Sequence, residues 1–258
     1  MKIDLNCDLG ESFGAYKMGL DEQVIKYVTS ANIACGFHAS DPITMEKTVK
    51  LAAESGAAVG AHPGYPDLMG FGRRNIAASP SEVKAYIMYQ VGALSAFAAA
   101  AGVKISHVKP HGAMYNMAAA DKALARAICE GTALAAPGAA LLALSGSEMI
   151  AEAKKMGIPY ASEVFADRAY EPDGSLAARS KPGAVITDEN AAVARVVRMV
   201  SEGVVTATDG SDIRISADSI CVHGDGEKAL LFVQKIKEAL AAAGIKIAPI
   251  GEVIAEKR

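Results

Sequence analysis

Asp4-Leu5-Asn6-Cys7-Asp8 alternates polar and apolar residues, so in a strand Asp4, Asn6 and Asp8 share one face and Leu5 and Cys7 the other. The same parity recurs along the chain. Asn32, Ala34, Gly36 and His38 fall together, as do Ala58, Gly60 and His62, then His107, Lys109 and His111. Glu163, Phe165 and Asp167 follow the sixth predicted strand, and Cys221, His223 and Asp225 the seventh. The five histidines are thereby predicted at or just past strand C-terminal ends. A closed βα barrel gathers such ends at one mouth, whereas an open doubly wound sheet spreads them along a line.

Around these residues, short apolar runs alternate with helical patterns. Strands are predicted at 2–6, 31–35, 57–61, 105–109, 140–144, 159–163 and 219–223. Ser79-Pro80-Ser81-Glu82 is a capping box with proline at the first helical position, opening a helix to about Ala101. Asp41-Pro42 opens another that Gly56 ends; Thr187 or Asp188 starts one reaching Gly203, and one follows Gly226. Strand–helix repetition implies parallel pairing with right-handed crossovers. Residues 204–207 and 213–216, around Asp209-Gly210, break the rhythm as a β-hairpin. No linker or composition shift divides the chain, so residues 1–258 are expected to form one distorted (β/α) barrel domain of the α/β class, with a hairpin insertion near 204–216.

Composition excludes several classes of function. The chain has 258 residues, 51% of them apolar, with a mean hydropathy of +0.21, enough for a large core. Net charge is −3 and tryptophan is absent, which argues against a phosphate-binding surface and base-stacking platforms, and so against nucleic acid. The first twelve residues carry Asp4, Asp8 and Glu11 without an apolar stretch, unlike a signal peptide. The run Val91–Val103 is too short to span a bilayer, so no membrane association is expected. Four cysteines without a CxxC pair suit a reducing compartment, and the expected location is cytoplasmic. Cys7 and Cys221 read as packing residues.

Two chemistries fit the strand-end residues. Asp8, His38 and His62 follow three successive strands and form a candidate set for a divalent metal with an open position. His107-Val108-Lys109-Pro110-His111 supplies imidazoles for proton transfer beside an ammonium that can face a developing oxyanion or phosphoryl group. Arg73, Arg168 and Arg179 are candidate clamps for a carboxylate or phosphate, while Arg74 reads rather as a solvated loop residue. His223-Gly224-Asp225-Gly226 could offer backbone N–H groups to an anion. No P-loop and no GxGxxG after the first strand occur, which excludes those two nucleotide-binding routes.

Asp4–Glu11, Ala31–Asp41, Gly60–Asp67, His107–Asn116, Glu163–Tyr170 and Cys221–Gly226 together resemble the LamB/YcsF family, in the right order over nearly the whole chain. One departure is Cys7, where alanine is common, which weakens any case for it as a nucleophile. The resemblance implies a seven-stranded barrel of the glycoside hydrolase/deacetylase kind. It also implies ATP-dependent hydrolysis of 5-oxo-L-proline to L-glutamate by a 5-oxoprolinase, with ATP as co-substrate (its Mg²⁺ supplied through the complex) and subunits B and C as partners.

On that reading Asp8, His38, His62, Lys109, His111 and His223 are the expected catalytic residues, an Asp–His pair among them deprotonating water. Asn6, Arg73, Glu163, Asp167, Arg168 and Asp225 are the expected substrate-binding residues. The alternatives are a metal-dependent deacetylase of an N-acetyl sugar and a non-catalytic substrate-binding subunit.

Overall fold

The polar face of the first strand turns inward, and the molecule is arranged around it. The computed structural model describes residues 1–222 and 227–257. In chain order the strands are β1 (Lys2–Leu9), β2 (Ser30–Ala34), β3 (Ala58–His62), β4 (His107–Val108), β5 (Ala140–Leu144) and β6 (Tyr160–Phe165). They continue with β7 (Val204–Thr206), β8 (Asp212–Arg214), β9 (Ser219–Cys221) and β10 (Lys246–Ile247). Interleaved are α1 (Asp21–Val24), α2 (Pro42–Ser55), α3 (Pro80–Ala100), α4 (Gly112–Ala120) and α5 (Lys122–Ala135). The remaining helices are α6 (Glu148–Met156), α7 (Glu189–Glu202), α8 (Glu227–Ala242) and α9 (Ile250–Ala255).

Seven strands pair in parallel in the order β1-β2-β3-β4-β5-β6-β9, and β9 pairs back onto β1, closing the barrel. β10 adds two residues beside the start of β1, and β7–β8 form the separate antiparallel hairpin. β1 runs three residues beyond the predicted end because Asp8 and Leu9 still pair with Asn32 and Ile33. β4 is shorter than predicted: Pro110 lacks the N–H that would continue it, although Ser106 and Lys109 still donate to Val59 and Ala61 on either side.

Outward-facing Leu5, Cys7, Leu9, Ile33, Val59, Val108, Val164 and Ile220 are buried under the helices in one apolar layer. The opposite parity puts Asp4, Asn6, Asn32, His107 and Glu163 inside, so the upper barrel interior is polar. Its floor is apolar: Leu142 and Ala161 pack on Ile250 of α9, with Ala58 and Ile254 alongside. Local signals fix the helices as read from sequence. Asp41 accepts from the Thr44 amide at 2.9 Å, Ser79 and Glu82 make the reciprocal capping box, and Asp188 caps α7. Among the described residues no helix is long and apolar enough to cross a membrane.

Candidate active site at the barrel mouth

Lys109 is the hub of the interior. Its ammonium lies 3.0 Å from Asp8 Oδ1, 2.8 Å from Glu163 Oε1 and 3.1 Å from Asn6 Oδ1, and donates to Cys221 Sγ at 3.3 Å. Burial works against this charge, but the carboxylates of Asp8 and Glu163 outweigh it and hold the pKa well above the usual lysine range. Lys109 is therefore a fixed cation and does not serve as a base. Burial pushes the Cys221 thiol well up, so it stays protonated beneath the ammonium.

Below this hub a hydrogen-bonded column fills the barrel. Asn32 donates to both Asn6 Oδ1 (2.7 Å) and Asp8 Oδ1 (2.8 Å), and its own oxygen accepts from His107 Nε2 at 2.7 Å. Asn6 donates to Ser219, which donates to Asp4, as do Ser30 and Thr29. His107 thus sits one layer below the mouth, opposite Gly60, rather than at a strand end. Gly60 is obligatory there, because a Cβ would stand 2.0 Å from the His107 ring. Burial and the nearby Lys109 hold His107 down to about 3, a neutral structural imidazole.

At the mouth, Glu11, His38, His62 and His111 bring one donor atom each within 4.8 Å of one another. This differs from the Asp8–His38–His62 set expected from sequence. Asp8 ends on the inward face, where its Oδ1 is taken by Lys109 and Asn32 and its Oδ2 lies 3.3 Å from His62 Nε2. Glu11 reaches the imidazoles from beyond Gly10, where the chain leaves strand parity.

Two backbone carbonyls fix the ring tautomers. His62 Nδ1–H donates to the Lys109 carbonyl at 2.7 Å, and His111 Nε2–H to the Phe71 carbonyl at 2.8 Å. The remaining nitrogens, His62 Nε2 and His111 Nδ1, face each other at 3.0 Å. His38 stacks on His111 with ring centres 3.7 Å apart, and neither of its buried nitrogens has a hydrogen-bond partner. Burial drives His111 down to about 3 and His38 well below its usual value, which disfavours a proton in this cluster. Converging imidazole lone pairs with backbone acceptors behind them, beside a carboxylate, are a donor set that fits a divalent cation.

The loop after β3 completes this side. Phe71 (φ 54°) and Gly72 (φ 62°) form a left-handed turn that aims the Phe71 carbonyl at His111. A Cβ on Gly72 would come within 2.8 Å of both His38 and His111. Arg73 lies over the Phe71 ring at 4.9 Å, whereas Arg74 pairs with Asp67 away from the site.

These groups border an open cavity of about 450 Å³. Asp8, Glu11, His62, Lys109 and His111 line it together with Arg73, Arg168 and Arg179, and Leu144, Phe165 and Leu176 add apolar wall. Asn6 and Glu163 differ from their expected place in contact with substrate, being fully buried beneath Lys109. Glu163 also accepts from Tyr115 at 2.7 Å. Asp167 is half-buried beside Arg168. His223 and Asp225 lie outside the described residues. Glu11 and Tyr115 escaped strand parity because they lie beyond the strands. The spacing of Tyr115 four residues after His111, one helical turn, was the available signal.

Known proteins resemble the chain in sequence and in fold. The LamB/YcsF family profile matches residues 3–255. The chain is 62% identical to the A-type subunit of 5-oxoprolinase from Clostridium beijerinckii over 252 residues, covering 98% of this chain and 99% of that one. It is 55% identical to the corresponding 5-oxoprolinase subunit of Bacillus subtilis over 251 residues, covering 97% and 98%. The crystal structure of a lactam utilization protein from Thermus thermophilus superposes with a TM-score of 0.90 at 47% identity, covering 96% and 99%. A deacetylase solved with substrate shares the fold alone, at a TM-score of 0.51 and 14% identity over 99% of this chain and 91% of that one. On sequence and on structure, the chain belongs to the LamB/YcsF family.

Proposed function

We propose that this chain is the lactam-handling subunit of an ATP-dependent 5-oxoprolinase, hydrolysing 5-oxo-L-proline to L-glutamate with subunits B and C as partners. The observation that carries the reading is a cavity lined by a fixed ammonium, a carboxylate and arginines, in a chain 62% identical to the A-type subunit of a 5-oxoprolinase. A lactam amide is resonance-stabilised, and transfer of the γ-phosphoryl group of Mg-ATP to its oxygen makes the ring carbon electrophilic. Water then adds to that carbon, the C–N bond breaks with the ring nitrogen taking a proton, and a second water releases phosphate from the resulting acyl phosphate.

Lys109 sets its charge against the oxygen that becomes negative, and Glu163, Tyr115 and Asn6 hold it in place. Asp8 borders the cavity and accepts the proton of the attacking water at Oδ2, a general-base role worth on the order of 10²–10⁴ in rate. Glu11, His38, His62 and His111 would hold a divalent cation, which when bound supplies Lewis-acid polarisation of a carbonyl or phosphoryl oxygen. Arg73, Arg168 and the wall around Phe165 bind the substrate.

The test is reconstitution of the chain with subunits B and C, ATP and 5-oxo-L-proline, omitting each in turn and measuring glutamate and ADP. Both products are expected only from the complete mixture. Glutamate formed by this chain alone without ATP overturns the coupled reading, and acetate released by it from an N-acetyl sugar favours the deacetylase.

A further inference from the structure

The loop after β6 is held more firmly than a surface connection requires. Tyr170 is fully buried and its hydroxyl accepts from the Phe165 amide at 3.0 Å. Arg195 of α7 donates to the Arg168 carbonyl at 2.7 Å and lies 5.2 Å from the centre of the Tyr170 ring. Isolated bridges join Arg168 to Val185 and Tyr170 to Leu176. Together these contacts fix the Arg168 guanidinium on the cavity wall. It is only 5% exposed, one Nη donates to the Ala177 carbonyl at 2.6 Å, and its buried Nε–H has no acceptor.

An unmet charged donor in a buried position is expensive unless a ligand satisfies it. Arg179, two residues past Ala177, borders the same cavity. Burial, and then the charge of Arg179, push Arg168 below its ordinary value, and neighbouring Asp167 offsets only part of this. Two guanidinium groups beside an open cavity, one with a preset free donor, are the donor set of a carboxylate site.

We propose that Arg168 and Arg179 form a carboxylate subsite, so that the cleft takes lactams bearing an acidic group on the ring and rejects neutral ones. The identity of the ligand rests on the 5-oxoprolinase reading; the subsite itself is argued from the loop. Arg73 follows β3 and Arg168 follows β6, strands three steps apart in the seven-stranded ring. Arg73 covers Phe71, whose ring meets His38 and His111 edge-on, and so is grouped with the imidazoles rather than with Arg168 and Arg179. In 5-oxoproline the carboxylate and the amide carbonyl sit on carbons at either side of the ring nitrogen. One orientation therefore directs the carboxylate to Arg168 and Arg179 and the carbonyl toward Lys109, with the ring methylenes against Phe165 and Leu176.

The experiment is calorimetric titration of the full-length chain with 5-oxo-L-proline, 2-pyrrolidone, cyclopentanecarboxylate and inorganic phosphate. Wild type is compared with Arg168→Lys, which keeps the charge but loses the fork, and Arg179→Gln, at an exposed position where folding is not at stake. Wild type is expected to prefer 5-oxoproline over 2-pyrrolidone by at least about tenfold, and each variant to lose about tenfold for 5-oxoproline but nothing for 2-pyrrolidone. Unchanged 5-oxoproline affinity in both variants overturns the subsite and leaves the 5-oxoprolinase reading standing. Selective loss of phosphate binding also overturns it, because the pair then serves the phosphoryl group. If wild type binds neither lactam, arginine-dependent binding of cyclopentanecarboxylate upholds the subsite and sinks the lactam reading, and no binding of any carboxylate overturns the subsite.

Discussion

His62 Nε2 and His111 Nδ1 stand 3.0 Å apart, while the opposite nitrogen of each ring donates to a backbone carbonyl. Both facing atoms are then lone pairs, and a cation between them relieves their repulsion. The purified chain is expected to bind about one divalent ion, and Zn²⁺ or Mn²⁺ should raise its melting temperature while a chelator lowers it. Elemental analysis of His62→Ala and His111→Ala should show the metal lost. Metal content unaffected by both substitutions would remove the cluster from consideration.

Lys109 neutralises two carboxylates at once, with its own side chain 3% exposed. Lys109→Met leaves Asp8 and Glu163 facing each other without a counter-charge, which should destabilise the fold by about 3–5 kcal/mol. Urea denaturation measures this directly, and a loss under about 1 kcal/mol would contradict a central role for the ammonium. In the double variant with Glu163→Gln the penalties should be clearly less than additive.

Asp4 makes a pH-dependent contribution of the opposite kind. Burial pushes it up to about 6 from 3.8, against hydrogen bonds from Ser219, Ser30 and Thr29. Between those values the folded chain binds more protons than the unfolded one. Stability from this group is therefore greatest below the lower value, falls as pH rises across the window and is level above it. The fall is on the order of 3 kcal/mol. Asp4→Asn does not ionise, so its denaturation midpoint should lack this decline; parallel profiles for the two proteins would refute the assignment.

Gly60 gives way to the His107 ring, and Gly60→Ala would place a methyl group 2.0 Å from it. The ring cannot retreat without breaking its bond to Asn32. A loss of about 1–3 kcal/mol or more is expected from thermal unfolding, with activity of the reconstituted complex falling as Asn32 shifts away from Asp8.

Period-two parity was enough to find the barrel and most of what lines it. It separated Asp4, Asn6 and Asp8 from Leu5 and Cys7, and it pointed to His62 and Lys109, because a strand leaves each side chain one choice of face. It did not carry past the strands. Glu11 follows the left-handed Gly10, His38 lies past the left-handed Gly36, and the His111 ring is held by the Phe71 carbonyl, so their meeting depends on loop geometry. Depth along the barrel axis was equally hidden. His107 and His62 share a face, yet the register sets His107 opposite Gly60, one layer down. Asn6 and Glu163 look like cleft residues by parity, but packing around Lys109 covers both.

Among the described residues, the apolar plug of Ile250 against Leu142 and Ala161 closes the barrel at its base. What reacts beside Lys109 then passes the end of the barrel that carries Glu11, Phe71 and Arg179. A protein seated on that end would control both traffic and water with a single contact, and an activated lactam could not drain away through the base.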